Sequence, residues 1–214
     1  MIHIKIAAFL LCLTLTSVDT FGQKMKLNKN LSHFIDSLKT ADQRPLAIKN
    51  ADSGGKAFQK IIRSNFPSIR TIANKYGFPG YDLVGIESSN NYWLLVQHSD
   101  FDVPFQKRIL KLTKVQVDRK NASGQNYAYL IDRINLNERK QQVYGTQVNM
   151  GENGTTIKPC INTFNLDKRR LSVGLTPIKE YLKKCDEMFY EMNKGKLNKP
   201  STTKSDSTKK NSML

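Results

Sequence analysis

Apolar residues recur at intervals of three and four along most of the chain, and in one stretch that period gives way to alternation. Residues 31–40 carry a modest helical pattern, and Ala51-Asp-Ser-Gly-Gly55 reads as a break after it. A short helix is expected over residues 57–62. Pro67 opens another, with Ile69, Ile72 and Ala73 on one side, ending near Gly77. Gly77-Phe-Pro-Gly80 predicts a turn, since glycine tolerates positive φ and Pro79 holds its neighbour extended. Three further helices follow. Residues 88–98 put Tyr92, Leu95 and Val96 inward, residues 103–117 bury Phe105, Ile109 and Leu112, and residues 127–134 bury Leu130, Ile131 and Ile134.

The period then changes. Residues 141–148 alternate and residues 155–161 are β-friendly, with Asn153-Gly154 between them, a strong hairpin signal. Thr176 followed by Pro177 reads as an N-cap with proline at the first helical position. Ile178, Tyr181, Leu182, Cys185, Met188, Phe189 and Met192 then mark an amphipathic helix. No internal repeat is visible. The expected fold class is α+β, mainly α: a single helical domain over residues 23–193 carrying one β-hairpin.

The ends change the picture of location. Residues 1–5 give a short cationic start, residues 6–18 an apolar run, and Thr20-Phe21-Gly22 small residues before Gln23, so residues 1–22 read as a signal peptide. The apolar run is too short to span a bilayer, and no later stretch approaches that length. Cys12 follows Leu11, where a lipoprotein signal wants a small residue, so a lipid anchor is not expected. The product would be exported, periplasmic or secreted, with about 192 residues remaining, enough for one domain with a real core. Residues 194–214 hold almost nothing to bury and are expected to form a disordered basic tail.

The 214 residues carry a net charge of +16, which invites a nucleic-acid or membrane-surface reading. Half of that excess lies on the ends, +5 on residues 194–214 and +3 on residues 24–30. Export and scattered charge argue against nucleic acid. The local exception is Lys107, Arg108, Lys111 and Lys114, one face of the helix whose opposite face is Phe105, Ile109 and Leu112. That stripe fits a phosphate-binding surface and equally the solvated side of an amphipathic helix. Export leaves Cys160 and Cys185, and the sequence is neutral between a disulfide and a buried free thiol.

Three segments hold polar residues where packing alone would not ask for them. In the first, Trp93 and Gln97 lie one helical turn apart with Asp100 at the next step, while His98 is about 100° round the helix, within reach of Asp102. The second is Asp132-Arg133, an adjacent acid and base inside an apolar helix. In the third, read as a strand, Gln142, Tyr144 and Thr146 share one face and Gln147 joins Val143 on the other, with Gly145 marking a bulge or close backbone approach.

With these residues in place, the chain resembles a bacterial family, the domain of unknown function numbered 6624. The matching elements are Asp42-Gln43-Arg44, Gly77-Phe-Pro-Gly80, Trp93 with Gln97-His98-Ser-Asp100, and Leu130-Ile-Asp132-Arg133. They continue with Gln142-Val-Tyr144-Gly145-Thr146-Gln147, Asp167 to Arg170, Gly174-Leu175 and Tyr181. Order and spacing hold over residues 42–182. Ser99 departs from the pattern, relatives often carrying Ala, and the basic tail has no counterpart. The resemblance implies a shared fold and polar set but no activity.

Two chemistries and one packing role compete for that set. As a general base, His98 needs a carboxylate to orient it, and Asp100, Asp102 or Asp132 stand near in sequence. No Ser or Cys stands out as a nucleophile, so such an enzyme would activate water, with His98, Asp132 and Arg133 as its catalytic group. As a binding site, Trp93, Gln97, Asp100, Gln142, Tyr144, Gln147 and Arg170 would read a small polar or anionic ligand or an envelope component, Arg170 or Arg133 holding any anionic group. As packing, the same residues would form a buried hydrogen-bonded network, with the Trp93 indole N–H satisfied by one of them. His33 and His98 are the histidines left after export, which excludes a multi-histidine metal site, and no cofactor is called for. The favoured role is a binding or accessory protein of the cell envelope with a polar cleft around His98, Asp132, Arg133 and Gln147; the alternative is a hydrolase using His98 on water.

Overall fold

The computed structural model describes residues 27–48 and 50–194. The expected signal peptide and, apart from Lys194, the basic tail lie outside the described residues. Among the described residues eight α-helices appear in order: α1 (Lys29–Gln43), α2 (Ala51–Tyr76), α3 (Tyr81–Val84), α4 (Ile86–Gln97), α5 (Val103–Asp118), α6 (Gly124–Asn137), α7 (Leu166–Ser172) and α8 (Ile178–Asn193). One antiparallel pair, β1 (Val148–Asn149) and β2 (Thr156–Ile157), joins Val148 to Ile157 and Asn149 to Thr156. The fold is mainly α with a single hairpin, as the periodicity predicts.

α1 lies along α4 and α5 along α6, and their apolar stripes meet in one core. Ile35, Ile69, Tyr92, Val96, Ile109, Leu130 and Ile134 are all within 2 % of full burial there. Each such side chain contributes roughly 1.5–3 kcal/mol relative to exposure. None of the described helices is long and apolar enough to cross a membrane.

Two expectations are corrected in the first half. The predicted break at Gly54-Gly55 and the new start at Pro67 are absent, and α2 runs unbroken through both. Asn50 caps it by accepting from the Ser53 N–H at 2.9 Å, which places both glycines in the first turns, where fraying costs least. Pro67 and Arg63 are both exposed, so water can serve the Arg63 carbonyl that proline leaves without a donor. The buried stripe of Ile62, Ile69, Ile72 and Ala73 holds the helix together against these local preferences.

Two more corrections come in the second half. Thr176 does not cap α8. Its carbonyl accepts from Arg170 Nε at 2.7 Å, and the first N–H of the helix, Ile178, is taken by the Asp167 carboxylate at 2.7 Å. Residues 141–147 do not form a strand; they are an irregular loop, touching residue 160 through one isolated bridge from Gln142. Along α8 only Cys185 is fully buried, and Met188 and Met192 stand 50 % and 63 % exposed. Cys160 and Cys185 are both free thiols.

Candidate functional site

The loop of residues 141–147 explains much of the polar set. Asp132 is wholly buried on α6, and its carboxylate accepts the N–H groups of Val143 (2.7 Å), Tyr144 (3.0 Å) and Thr146 (2.9 Å) and the Thr146 hydroxyl (2.9 Å). The loop carbonyls point the other way. Arg169 Nε donates to that of Val143 at 2.8 Å, Arg170 Nη1 to those of Tyr144 at 2.7 Å and Gly145 at 3.4 Å, and the Tyr181 hydroxyl to that of Thr146 at 2.7 Å. Gln142 closes the far end. It accepts from the Gln147 N–H at 2.7 Å and donates to the carbonyls of Gln147 and Lys158 at 2.9 and 3.0 Å. A buried backbone needs partners for every N–H and C=O, and here side chains provide what a sheet would have provided.

Charge and conformation suit that arrangement. Burial pulls the Arg170 guanidinium below its ordinary value, and nearby Tyr129, Tyr181, Asp167 and Asp132 oppose the pull. Its carbon sits 4.8 Å from the centre of the Tyr181 ring. Gly145 holds φ at +63°, a region that side-chain-bearing residues rarely adopt, so glycine is favoured there. Burial, with Tyr127 and Asp132 adding to it, pushes the Tyr144 phenol up.

Beside this clamp lies an open groove of about 460 Å³ between α4, α6, the loop and α8. Trp93 and Gln97 line it from α4, Asn126, Tyr129 and Arg133 from α6, Gln147 from the loop and Tyr181 from α8. The three aromatic rings meet edge to face, Trp93 on Tyr129 and Tyr129 on Tyr181, each pair with centroids 6.5 Å apart. Burial pushes the Tyr181 phenol up, and its neighbour Tyr129 pushes it further. The Trp93 indole N–H is buried and has no partner among the described residues, contrary to the satisfied core indole expected of a packed network.

Arg133 does not pair with its neighbour Asp132. Its Nε donates to both oxygens of Asp100, at 2.8 and 2.9 Å, and its Nη2 donates to Asp100 as well. Gln106 and Asn137 add bonds to Asp100 at 3.1 and 3.2 Å. Burial alone would raise the Asp100 carboxyl, but Arg133, Gln106 and Asn137 outweigh it and hold the group below its usual range.

His98 stands apart from the groove. None of Asp100, Asp102 and Asp132 orients it; its Nδ1 lies 2.8 Å from Oδ2 of Asp42, a buried residue at the end of α1. Sequence distance hid this contact, since the two residues are fifty-six positions apart. Gln43 donates to the same oxygen at 2.7 Å, Phe58 meets the imidazole edge to face at 5.1 Å, and Oδ1 of Asp42 has no partner among the described residues. Asp102 instead caps α5, accepting from the Phe105 N–H at 2.9 Å.

The expected cleft is thus divided. Trp93, Gln97, Arg133 and Gln147 share the groove, with Asp100 behind Arg133. Asp132, Gln142 and Arg170 lie beneath the loop and hold it, with the Tyr144 backbone between them, while His98 belongs to a separate pair with Asp42. Asn126, Tyr129 and Tyr181 join the groove beyond the residues the sequence points to, although Tyr181 falls among the motifs named above. No group of three or more His, Cys, Asp or Glu among the described residues is placed to hold a metal ion.

The basic stripe on α5 is largely paired. Lys107 and Lys140 both reach Glu138, Lys114 reaches Asp118 and Arg108 reaches Asn74, all within 2.9 Å. Those hydrogen bonds hold the Glu138 carboxyl below its usual range.

A family model described as a family of unknown function (DUF6624) matches residues 56–194. The chain belongs to that family. No curated protein and no solved structure matches the chain. The match includes the loop clamp and every groove residue, whereas Asp42, the partner of His98, precedes it.

Proposed function

We propose that this member of the family is an exported binding or accessory protein of the cell envelope, and that the groove beside the loop takes a small polar ligand. The observation that carries this reading is the division of labour among the polar residues. Asp132, Gln142 and Arg170 spend hydrogen bonds on the loop, whereas the groove is lined by a Gln97 amide that makes no side-chain bond among the described residues and a Gln147 amide that makes one. Aromatic walls with a few convergent polar groups are the usual make-up of a small-molecule site. Export rests on the cationic start, apolar run and small residues of positions 1–22.

Trp93 is the chain's single tryptophan, so its emission reports on the groove alone. Titration of the purified protein with neutral, anionic and cationic small metabolites tests the reading. A saturable change that disappears in Gln97→Ala supports it, and a flat response across all three classes, confirmed by calorimetry, contradicts it.

The hydrolase reading keeps one specific support, the pairing of His98 with Asp42. A carboxylate accepting from Nδ1–H leaves Nε2 as the basic nitrogen, the arrangement a water-activating histidine uses. Turnover of chromogenic esters or phosphodiesters that is lost in His98→Gln would support it; an inert wild-type protein would contradict it.

A further inference from the structure

Binding in the groove, which this inference takes as given, leaves the class of ligand to be named. The groove has one charged lining residue, Arg133, and that charge is already answered. Two of its nitrogens donate to Asp100, which Gln106 and Asn137 hold in place. An incoming anion would meet the Asp100 carboxylate alongside the guanidinium, so the groove offers it little net attraction.

What the groove does offer is neutral. Gln97 and Gln147 present amides, each both donor and acceptor, and Gln147 spends only one weak bond, to the Thr146 hydroxyl at 3.2 Å. Asn126 donates to Asn90 at 2.8 Å, which leaves its own carbonyl oxygen to accept from a ligand. Trp93, Tyr129 and Tyr181 add ring surface. Amides that both give and accept, set among aromatic rings, match a molecule with many hydroxyls on one side and a C–H face on the other.

We infer that the ligand of this groove is a neutral saccharide, its hydroxyls read by Gln97, Gln147 and Asn126 and its ring packed against Trp93 and Tyr129. The test titrates the whole protein with glucose, N-acetylglucosamine, maltotriose and chitotriose, and in parallel with citrate, glutamate and inorganic phosphate. Trp93 emission and calorimetry are read at low and at high salt. Saturable binding of at least one saccharide, unchanged by salt and weakened about tenfold or more in Gln97→Ala, supports the inference. Binding of the anions alone, falling as salt rises, overturns the saccharide assignment while leaving the groove a binding site. No binding of any member by either method overturns the assignment and the reading beneath it.

Discussion

Asp132 and Arg170 hold opposite edges of one loop: the buried carboxylate takes the N–H groups of Val143, Tyr144 and Thr146, and the buried guanidinium donates to the carbonyls of Tyr144 and Gly145. Neither charge has to find the other directly, because the polarised backbone lies between them. A charge buried among oriented dipoles is stabilised in this way, and the loop gains a fixed shape in return.

Removal of either partner should therefore be severe. Asp132→Ala leaves several N–H groups without acceptors and removes one of the carboxylates near Arg170. A loss of about 3–5 kcal/mol is expected in urea unfolding. Arg170→Met should lose a comparable amount. The double variant should lose less than the sum, since both act on one loop. Additive losses would show that the two residues work independently.

Gly145 gives a second test of the same loop. At φ +63° an alanine carries a left-handed penalty of roughly 1–2 kcal/mol, while its Cβ would make ordinary contact with Leu166. Gly145→Ala should lower the urea midpoint by a corresponding amount. It should also weaken groove binding, because Gln147 hangs from this loop. A variant as stable as wild type would contradict the assigned conformation.

Much of the fold is legible in the chain, and the failures have identifiable causes. The stripes of Tyr92, Leu95 and Val96 on α4 and of Leu130 and Ile134 on α6 show their period because each has one buried face. Alternation over residues 141–148 reads as a strand, but the buried residues are Gln142, Gly145 and Thr146, which do not alternate, and the loop is held by side-chain bonds from distant helices. Local pattern cannot register a partner such as Arg170. Asp42 escaped as the partner of His98 for the same reason, and Asp167 as the cap of α8. Trp93 and Gln97 share one face of α4, as helical spacing alone predicts, whereas nothing local to the chain brings Arg133 of α6 beside them.

A pH dependence follows from Asp100. Its carboxyl sits below the ordinary unfolded value of about 3.9, so the stability it contributes is complete above that pH and is lost as pH falls through its folded value. Asp100 is 37 % exposed, and solvent screening keeps the effect below about 1 kcal/mol. Asp100→Asn should flatten the acid limb of stability against pH by lowering the neutral plateau, by up to about 1 kcal/mol, while leaving stability below the folded value almost unchanged. An unaltered acid limb would contradict the pairing with Arg133.

The central claim is that one set of polar residues builds the loop while a neighbouring set is left free for a ligand. It is tested most directly by comparing urea unfolding of Asp132→Asn and Gln97→Ala with that of the parent protein. The account predicts a loss of several kcal/mol for the first and a change within about 0.5 kcal/mol, or a gain, for the second. Equal losses would mean that Gln97 belongs to the structural network as well, and would contradict the claim.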